Sequence, residues 1–373
     1  MNDFEEYIRQ GEPDKIEKSQ IWQTAIGLQQ VDGLKPSAYL IETAKQNIEG
    51  DITFDEVNVR IDSYYQTKTV RNNDDDRTEE ADKVSARIAE ILSSKTFSFS
   101  PVEYIGIHRR LFSGIYKFAG KIRDYDISKK EWVLDGKTVL YASAINLRET
   151  LEYDFAQEKA FNYKGLSKLQ IIEHIAHFVA YLWQIHIFGE GNTRTTAVFL
   201  IKYLRTFGFN VSNDAFAQHS WYFRNALVRA NYKDFTNGIH ATNEYLMRFF
   251  GNLLLGENNI LNNRELHIKF VKTENVNVVE NDTVNKKNVL VTTEKFLVNG
   301  KKFLVNGKKF PVNGLEILKL ITQNQNVTIM ELSKQLNISD RAVKNNLNKL
   351  KNANIISRVG SDKTGHWQII SEV

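Results

Sequence analysis

The stretch HIFGEGNTRTTA, from His186 to Ala197, decides how this chain is to be understood. Apolar residues recur at helical spacing on both sides of it: Ile171, Ile175, Phe178, Leu182 and Ile185 upstream, and Val198, Ile201 and Leu204 downstream. The spacing therefore predicts a loop between two helices, with the second helix starting near Thr193.

The residue types in this loop suit the handling of phosphate. A loop that contains Gly191 and feeds a helix N-terminus can wrap a phosphate chain with free backbone N–H groups. Glu190 adds an oxygen ligand suited to Mg²⁺, and Arg194 can grip phosphate oxygens in a fork geometry. His186, whose ordinary pKa is about 6.5, is the natural general base for a hydroxyl that attacks phosphorus.

The stretch resembles the active-site motif of the Fic family, His-Pro-Phe-x-(Asp/Glu)-Gly-Asn-Gly-Arg-x-x-Arg. The matching residues are His186, Phe188, Glu190, Gly191, Asn192 and Arg194. The resemblance implies transfer of AMP from ATP to a Ser, Thr or Tyr hydroxyl of a protein substrate. It implies His186 as the catalytic base, Glu190 as the Mg²⁺ ligand, and a nucleotide site made of Gly189, Gly191, Asn192, Thr193 and Arg194. The alternative is a histidine that packs at a helix end before an ordinary Gly-Asn turn.

Three positions depart from the family pattern. Ile187 stands where proline is usual, Thr193 replaces a glycine, and Ala197 replaces the second arginine. That arginine normally orients the γ-phosphate. In the Doc branch of the superfamily the same position also lacks it, and those proteins transfer the γ-phosphate. Arg224 and Arg229 are candidate replacements, although pairing within their own helix is the simpler use of either.

A segment from Phe118 to Tyr141 has β-favouring residues on both sides of Asp135-Gly136. Such a pattern predicts a short hairpin. In Fic proteins a hairpin flap clamps the target chain by strand addition, so the resemblance implies a target-docking flap at Val133, Leu134, Asp135 and Gly136. A plain surface hairpin is the alternative.

The run from Ile41 to Tyr64 resembles the antitoxin-like helical module whose (Ser/Thr)-x-x-x-Glu-Gly motif inhibits Fic sites. Glu49 and Gly50 match this motif, and Lys45 stands where Ser or Thr is expected. The resemblance implies that Glu49 is inhibitory by pairing with the second arginine, which Ala197 removes here. The alternative is a helix that ends at Gly50 as its C-cap with Glu49 solvated.

Charge divides the chain unevenly. Residues 268–311 contain nine Lys against four acidic residues, and residues 312–373 contain eight Lys or Arg against five. Since the whole chain carries +4, residues 1–267 carry about −4. We predict a helical N-terminal region (1–79), a Fic core (80–267), a basic linker with a short repeat (268–311) and a winged helix-turn-helix (312–373).

The C-terminal pattern is typical of a winged helix-turn-helix. Residues 328–336 open with a Thr-x-x-Glu capping box. The following run, 339–351, turns Val343, Leu347 and Leu350 inward. The outward side and the wing supply the predicted contacts to double-stranded DNA: Arg341, Lys344, Asn345, Asn348 and Lys363. A winged helix used for protein contact is the alternative.

Between the halves, FLVNGKK repeats with a seven-residue period and Asn-Gly turns, which predicts hairpin-like pieces. The chain has no cysteine, no signal peptide pattern and no apolar run of membrane-spanning length, so we expect a cytoplasmic protein without a membrane partner. His174 and His177 lie one helical turn apart, and without a third ligand they are predicted to be ordinary helix residues.

Together these features predict a mostly α protein, a Fic helical core with a β-hairpin flap plus a C-terminal winged helix-turn-helix domain. The predicted function is adenylyl transfer with ATP and Mg²⁺, with autoinhibition left open. Two alternatives remain: a Doc-like protein kinase, and a DNA-binding regulator with a non-catalytic, nucleotide-sensing Fic core. The sequence leaves the oligomeric state open, with a homodimer as one option.

Overall fold

The computed structural model describes residues 3–68, 74–211 and 215–270 of the N-terminal part. In the C-terminal part it describes residues 294–298, 301–305, 317–318, 320–321, 324–336, 338–352, 356–360 and 365–370. The chain divides into two compact units, Met1–Glu274 and Asn275–Val373.

The first unit is helical. Its α-helices are α1 (Glu5–Gln10), α2 (Pro13–Gly27), α3 (Ala38–Glu49), α4 (Phe54–Thr67), α5 (Asp75–Ser93), α6 (Pro101–Phe112), α7 (Leu147–Ala160), α8 (Lys168–Ile185), α9 (Asn192–Thr206), α10 (Ala215–Ala230), α11 (Glu244–Leu255) and α12 (Asn263–Leu266). Short 3₁₀ helices lie at Leu28–Asp32, Trp132–Leu134, Ala144–Asn146 and Phe235–Asn237. The described residues confirm the prediction of a mostly α fold.

Side-chain caps begin several of these helices. Thr53 accepts a hydrogen bond from the N–H of Glu56, and the Glu56 carboxylate accepts from the N–H of Thr53, which forms a capping box at α4. Ser167 and Gln170 do the same at α8. Ser100 caps α6 with proline at the first helical position. These caps satisfy orphan N–H groups and set where each helix starts.

The helix faces predicted around the motif are confirmed. Ile175, Phe178, Leu182 and Ile185 of α8 are buried, Ile171 is half-buried, and Val198, Ile201 and Leu204 of α9 are fully buried. Residues 186–191 form the loop between the two helices, as the spacing predicts. Hydrophobic burial on both sides therefore holds the loop at a fixed place in the core.

One hydrophobic core runs through the whole first unit, from Phe4 to Leu266. The N-terminal helix α2 packs against α5 and α10, and its buried Trp22 donates from Nε1 to Oδ1 of Asn47 at 3.0 Å. Helix α5 runs through the predicted boundary at residue 80. The N-terminal helices therefore share their core with the helices that carry the motif.

The predicted hairpin between Phe118 and Tyr141 is wrong in its secondary structure, because no strand forms there. The chain does reverse at Asp135-Gly136, with φ of 55° and 81°, and the N–H of Glu131 donates to the carbonyl of Lys137 at 2.9 Å. Two contacts explain why the residues on either side of this reversal do not pair as β-strands. The 3₁₀ turn Trp132–Leu134 buries Val133 and Leu134 in the core, and the Thr138 hydroxyl accepts the N–H of Lys129.

The second unit contains helices α13 (Ile329–Leu336) and α14 (Asp340–Asn352) and two pairs of antiparallel strands. Strand β3 (Ile356–Val359) pairs with β4 (His366–Ile369). The predicted capping box is present, with Thr328 and Glu331 exchanging hydrogen bonds, and Val343, Leu347 and Leu350 are buried as predicted. The predicted wing residue Lys363 lies outside the described residues.

The repeat region also agrees with its prediction where it is described. Strand β1 (Glu294–Val298) pairs with β2 (Lys301–Val305), in a register that sets Val298 opposite Lys301. The third copy of the repeat, near Phe310, lies outside the described residues. Among the helices that the structure describes, none has the length and apolar character needed to cross a membrane.

A close crossing of α2 and α10 generates a test of the packing. A Cβ atom on Gly27 would lie 2.3 Å from the Cα of Ala217, although the Gly27 backbone itself is ordinary helix. We expect Gly27→Ala to lower the free energy of unfolding by about 1–3 kcal/mol, because backbone atoms of α10 would have to move.

Gly106 of α6 is the matched control, since a Cβ atom added there would meet nothing within 4 Å. Gly106→Ala should raise the free energy of unfolding by about 0.5–1 kcal/mol through helix propensity alone. Urea denaturation of both variants measures this. Equal effects of the two substitutions would show that the crossing is not tightly packed.

Candidate active site

His186 ends helix α8 and begins the motif loop. Its backbone has φ 50° and ψ 53°, a left-handed conformation that few residues other than glycine adopt. Its N–H donates to the carbonyl of Trp183 at 3.1 Å. The backbone reversal at this residue directs the chain from α8 into the loop, and such strained residues cluster at functional sites.

The ring of His186 is buried and has a defined hydrogen bond. Nδ1 lies 3.2 Å from the carbonyl oxygen of Trp183, so Nδ1 carries the proton and Nε2 is the unprotonated nitrogen. Burial lowers the pKa of His186 well below its ordinary value, and the nearby charge of Lys129 acts in the same direction. His186 is therefore neutral at neutral pH, with Nε2 able to accept a proton.

Asn192 holds the loop in shape. Its Oδ1 accepts the N–H of Phe188 at 3.0 Å, and its Nδ2 donates to the carbonyl of Phe188 at 2.7 Å. The loop also passes too close to its neighbours for side chains at its glycines. A Cβ on Gly191 (φ 77°) would lie 2.4 Å from the Phe112 ring, and one on Gly189 would lie 2.7 Å from the Tyr125 hydroxyl. Thr193 accepts from the indole N–H of Trp183 at 2.9 Å.

His108 of α6 is a second loop support that the sequence analysis missed. Its Nδ1 accepts the N–H of Gly120 at 2.8 Å, so the proton lies on Nε2, which donates to the carbonyl of Glu190 at 3.0 Å. The ring stacks on Phe188 at 3.7 Å, and burial lowers the pKa of His108 to about 4. This neutral histidine ties the motif loop to the segment after α6.

Arg123 was also missed, and it braces the backbone beneath His186. Its Nε donates to the carbonyl of His186 at 2.7 Å, and its other nitrogens donate to the carbonyls of Tyr125 and Ala142. A buried guanidinium that donates to several carbonyls joins the segment between α6 and α7 to the loop. Periodicity gives no signal for either His108 or Arg123, because most of their partners lie 12 or more residues away in sequence.

Glu190 lies at the surface of the loop. Its carboxylate is half exposed and lies 2.7 Å from the ammonium group of Lys129, in the segment between α6 and α7. A single accessible carboxylate next to the N-terminus of α9 suits Mg²⁺, which binds through one or two carboxylates together with substrate phosphates. Within the described part of the chain, no cluster of three or more His, Asp or Glu residues could hold a metal by itself.

Arg194 does not point into open space. Its side chain is 1% exposed, with Nη2 2.6 Å from Oε1 of Glu80 in α5 and Nε 2.8 Å from Oδ2 of Asp32 in the first 3₁₀ helix. The contact to Asp32 is a close ion pair without a directed hydrogen bond. Both carboxylates come from regions far upstream of the motif.

Further groups complete the surroundings of Arg194. Nη1 donates to Oε1 of Gln29 at 3.1 Å, Nη2 lies 3.3 Å from the Tyr116 hydroxyl, and the guanidinium carbon lies 4.8 Å from the centre of the Phe112 ring. Burial disfavours the charge, but Asp32, Tyr116 and Glu80 hold the pKa of Arg194 above its ordinary value. The predicted phosphate contact of Arg194 stays a prediction, because the described structure engages this side chain elsewhere.

Arg224 and Arg229, the two candidates to replace the absent second arginine, both have contacts elsewhere in the structure. Ala197 is fully buried in α9. Arg224 forms a two-pronged pair with the buried carboxylate of Glu131, at 2.7 and 3.1 Å, and that carboxylate also accepts from the Tyr141 hydroxyl. Arg229 is buried beside Tyr245.

Glu49, His174 and His177 each have a side-chain partner in the structure. Glu49 ends α3 before Gly50, the left-handed C-cap, and its carboxylate lies 2.6 Å from the ammonium group of Lys15. Lys15 and Tyr7 lower the pKa of Glu49 by hydrogen bonding. His174 pairs with the buried Glu158 at 2.6 Å, and His177 contacts Asn243 at 2.8 Å.

Four of the five residues predicted to contact DNA lie on α14, and all four are exposed. Arg341, Lys344, Asn345 and Asn348 are exposed on α14. This exposure agrees with the predicted outward side of the recognition helix, and Lys363 lies outside the described residues.

Comparisons with known proteins agree with these features. A Fic/DOC family model matches residues 98–204, and a DeoR-like helix-turn-helix model matches residues 315–360. The chain is 27% identical over 142 residues to the protein adenylyltransferase VbhT of Bartonella schoenbuchensis. That similarity covers 35% of this chain, and the chain spans only 28% of the length of this curated relative.

Solved structures also show similarity. BepC of Bartonella tribocorum, with bound AMPPNP, is 19% identical and has a TM-score of 0.39, covering 50% of this chain and 90% of that one. A Fic family protein from Desulfovibrio desulfuricans is 11% identical with a TM-score of 0.41, covering 100% of this chain and 94% of that one. The family matches, taken with the motif, show that residues 98–204 form a Fic/DOC domain and that residues 315–360 form a DeoR-like helix-turn-helix domain.

Proposed function

We propose that this chain transfers AMP from ATP to a Ser, Thr or Tyr hydroxyl of another protein. The observation that carries the proposal is the contact between Nδ1 of His186 and the Trp183 carbonyl, which puts the proton of the neutral ring on Nδ1 and leaves Nε2 free to accept one. A general base must be in its proton-accepting form, and this ring is neutral before substrate arrives. The adenylyltransferase relative VbhT supports the same chemistry at low identity.

The N-terminus of α9 supplies the proposed phosphate site. The first hydrogen bond of the helix runs from the N–H of Thr195 to the carbonyl of Gly191, so the N–H groups of Asn192, Thr193 and Arg194 lie outside the helical ladder. These groups and the helix dipole attract anions. Gly189 and Gly191 let the loop backbone lie close to its neighbours, which keeps the cradle in one shape.

In the proposed step, Nε2 of His186 takes the proton of the protein hydroxyl as its oxygen bonds to the α-phosphorus. The bond from that phosphorus to the bridging oxygen breaks, and pyrophosphate leaves. Glu190 would hold Mg²⁺, which would neutralise phosphate charge. Lys129 pairs with the Glu190 carboxylate at 2.7 Å, so Mg²⁺ would take the place of this ammonium group on the carboxylate.

The position of Arg194 argues for a restraint on this activity. Its guanidinium is buried and is held by Asp32 and Glu80, and the second motif arginine is absent at Ala197. In the described state, phosphate would be bound by backbone N–H groups without an arginine. We propose that Asp32 and Glu80, more than Glu49, limit nucleotide binding in this chain.

The pairing of Arg194 with Asp32 and Glu80 also favours a second candidate function, a DNA-binding regulator whose Fic core senses nucleotide without catalysis. A site whose motif arginine is paired with protein carboxylates is suited to a slow or absent reaction. The Doc-like kinase stays as a third candidate because of Ala197 alone. The three differ in which phosphate, if any, becomes bound to protein.

Labelled ATP separates these candidates. The full chain would be incubated with Mg²⁺, a bacterial lysate and ATP labelled at the α- or γ-phosphate. We expect α-label on protein, and a loss of about 10²-fold or more in its rate for His186→Ala, because general-base catalysis is removed. His177→Ala is the matched control, since this histidine is exposed on the same helix.

Transfer of γ-label alone would replace the proposal by the kinase. Absence of both labels, with the Glu80→Gln variant also silent, would replace it by the non-catalytic regulator. Equal loss in the His186 and His177 variants would rule out a special role of His186.

The carboxylate pair on Arg194 can be tested directly. We expect Glu80→Gln to lower the free energy of unfolding by about 1–3 kcal/mol, since a buried guanidinium loses a partner. We also expect the AMP-transfer rate to rise several-fold, because the guanidinium is less strongly held. Unfolding and labelling rates are measured on the same preparations.

Glu79→Gln is the control, because Glu79 pairs with Lys83 one turn away in the same helix. Its expected cost is about 0.3–0.5 kcal/mol with unchanged labelling. Loss of stability in Glu80→Gln with unchanged labelling would show that Asp32 and Glu80 act only in folding.

For the second unit we propose binding of double-stranded DNA through α14. Its exposed Arg341, Lys344, Asn345 and Asn348 lie opposite the buried face, and the DeoR-like helix-turn-helix match supports this use. Side chains on such a helix can contact bases and phosphates.

Binding of the full chain to a mixed-sequence duplex, measured against salt, tests this surface. Lys344→Gln should weaken binding and reduce the slope of log K against log salt by about 1, because one phosphate contact is lost. Lys334→Gln on α13 is the control, with the slope unchanged. An unchanged slope for Lys344→Gln would exclude this face of α14 as the DNA contact.

A further inference from the structure

Arg229, in the last turn of α10, has an unusual environment. Only 9% of its surface is exposed, and its Nε and Nη1 atoms have no hydrogen-bond partner among the described residues. Burial lowers the pKa of Arg229, and the neighbouring Tyr245 only partly opposes this effect. A buried guanidinium without a carboxylate partner is costly, so its retention needs a reason.

A cavity of about 430 Å³ lies against this side chain. It is formed by the end of α10, the start of α11 and the segment after α12, and its lining includes Arg229, His240, Tyr245, Arg248, His267 and Phe270. The volume falls in the lower part of the range for small-molecule sites.

The acidic groups near this cavity are already paired. Arg248 holds the carboxylates of Glu244 and Glu265, the second at 3.1 Å. Asp234, in the preceding turn, is paired with Lys137 at 2.7 Å. Arg229 is therefore left with its positive charge uncompensated by any ion pair that the structure describes.

Another wall of the cavity offers a hydrogen-bond donor. Nδ1 of His267 accepts the N–H of Lys269 at 3.2 Å, so the proton of a neutral His267 ring lies on Nε2. Nearby, the N–H of Ile268 donates to the carbonyl of Val133 at 2.8 Å. This bond joins the cavity wall to the reversal at Asp135-Gly136.

We propose that this cavity binds one small anionic ligand that bears a carboxylate or a phosphate group, with Arg229 as its main contact. A guanidinium matches both groups through parallel N–H donors. A polyphosphate suits the cavity less well, because Arg248, the other arginine in the described lining, is already paired with Glu244 and Glu265. The ligand site is independent of the proposed AMP transfer, which uses the loop at residues 186–194.

Thermal unfolding of the full chain tests the proposal. The chain would be titrated with inorganic phosphate or with acetate, against sodium chloride at the same ionic strength. We expect phosphate or acetate, at about ten times its dissociation constant, to raise the Tm by about 2–4 °C. Response to one of the two identifies the anionic group.

Two variants make the result specific. Arg229→Gln should remove the part of the Tm shift that this cavity contributes, whereas Arg264→Gln, at an exposed position on α12, should keep it. Phosphate bound at the motif loop would stabilise Arg229→Gln and the wild type equally, so failure of either site is recognised separately. In chloride alone, Arg229→Gln should be at least as stable as the wild type, because an unpaired buried charge is removed.

Two outcomes would overturn the proposal. One is an equal response of the wild type and Arg229→Gln to both anions. The other is a lower Tm of Arg229→Gln in chloride together with no anion response of the wild type, which would make Arg229 a packing residue.

Discussion

The packing of the first unit depends on the buried guanidinium of Arg194, which needs carboxylate partners inside the core. The Arg194 guanidinium lies inside the core, where an unpaired charge would be prohibitive, so carboxylates must reach it. Asp32 does so from the N-terminal region and Glu80 from α5, and Gln29 adds a third polar contact. This requirement explains why the N-terminal helices share a single core with the motif helices: separating them would leave the charge without partners.

The motif loop is rigid for a different reason. Asn192 forms two hydrogen bonds with the backbone of Phe188. His108 donates to the carbonyl of Glu190, and Arg123 donates to the carbonyl of His186. These contacts come from three elements, so the position of the His186 ring depends on the entire unit and little on the loop itself. The proposed base is thus prepared in advance, whereas the motif arginine is engaged elsewhere. The proposed base is free to accept a proton, whereas the arginine expected to bind phosphate is paired with carboxylates, and this difference is the basis for proposing a restrained enzyme.

The sequence predicts best where the responsible forces are local. The faces of α8 and α9, the capping box at Thr328 and the inward residues of α14 follow from helical periodicity and hydrogen bonds within one turn. The hairpin prediction failed because Val133 and Leu134 gain more by burial in the core than by joining a ladder. The alternation around Asp135-Gly136 specified the reversal but carried no information on that competition.

The sequence by itself determined the motif, its place between two helices, the mostly α fold and the helix-turn-helix, because each depends on neighbours a few positions apart. Only the tertiary structure decided the partners of the charges. Asp32 and Glu80 lie more than a hundred residues from Arg194, and Glu131 lies similarly far from Arg224. Coulomb attraction depends on distance in space, which the packing of helices sets, and no periodicity in the chain encodes it.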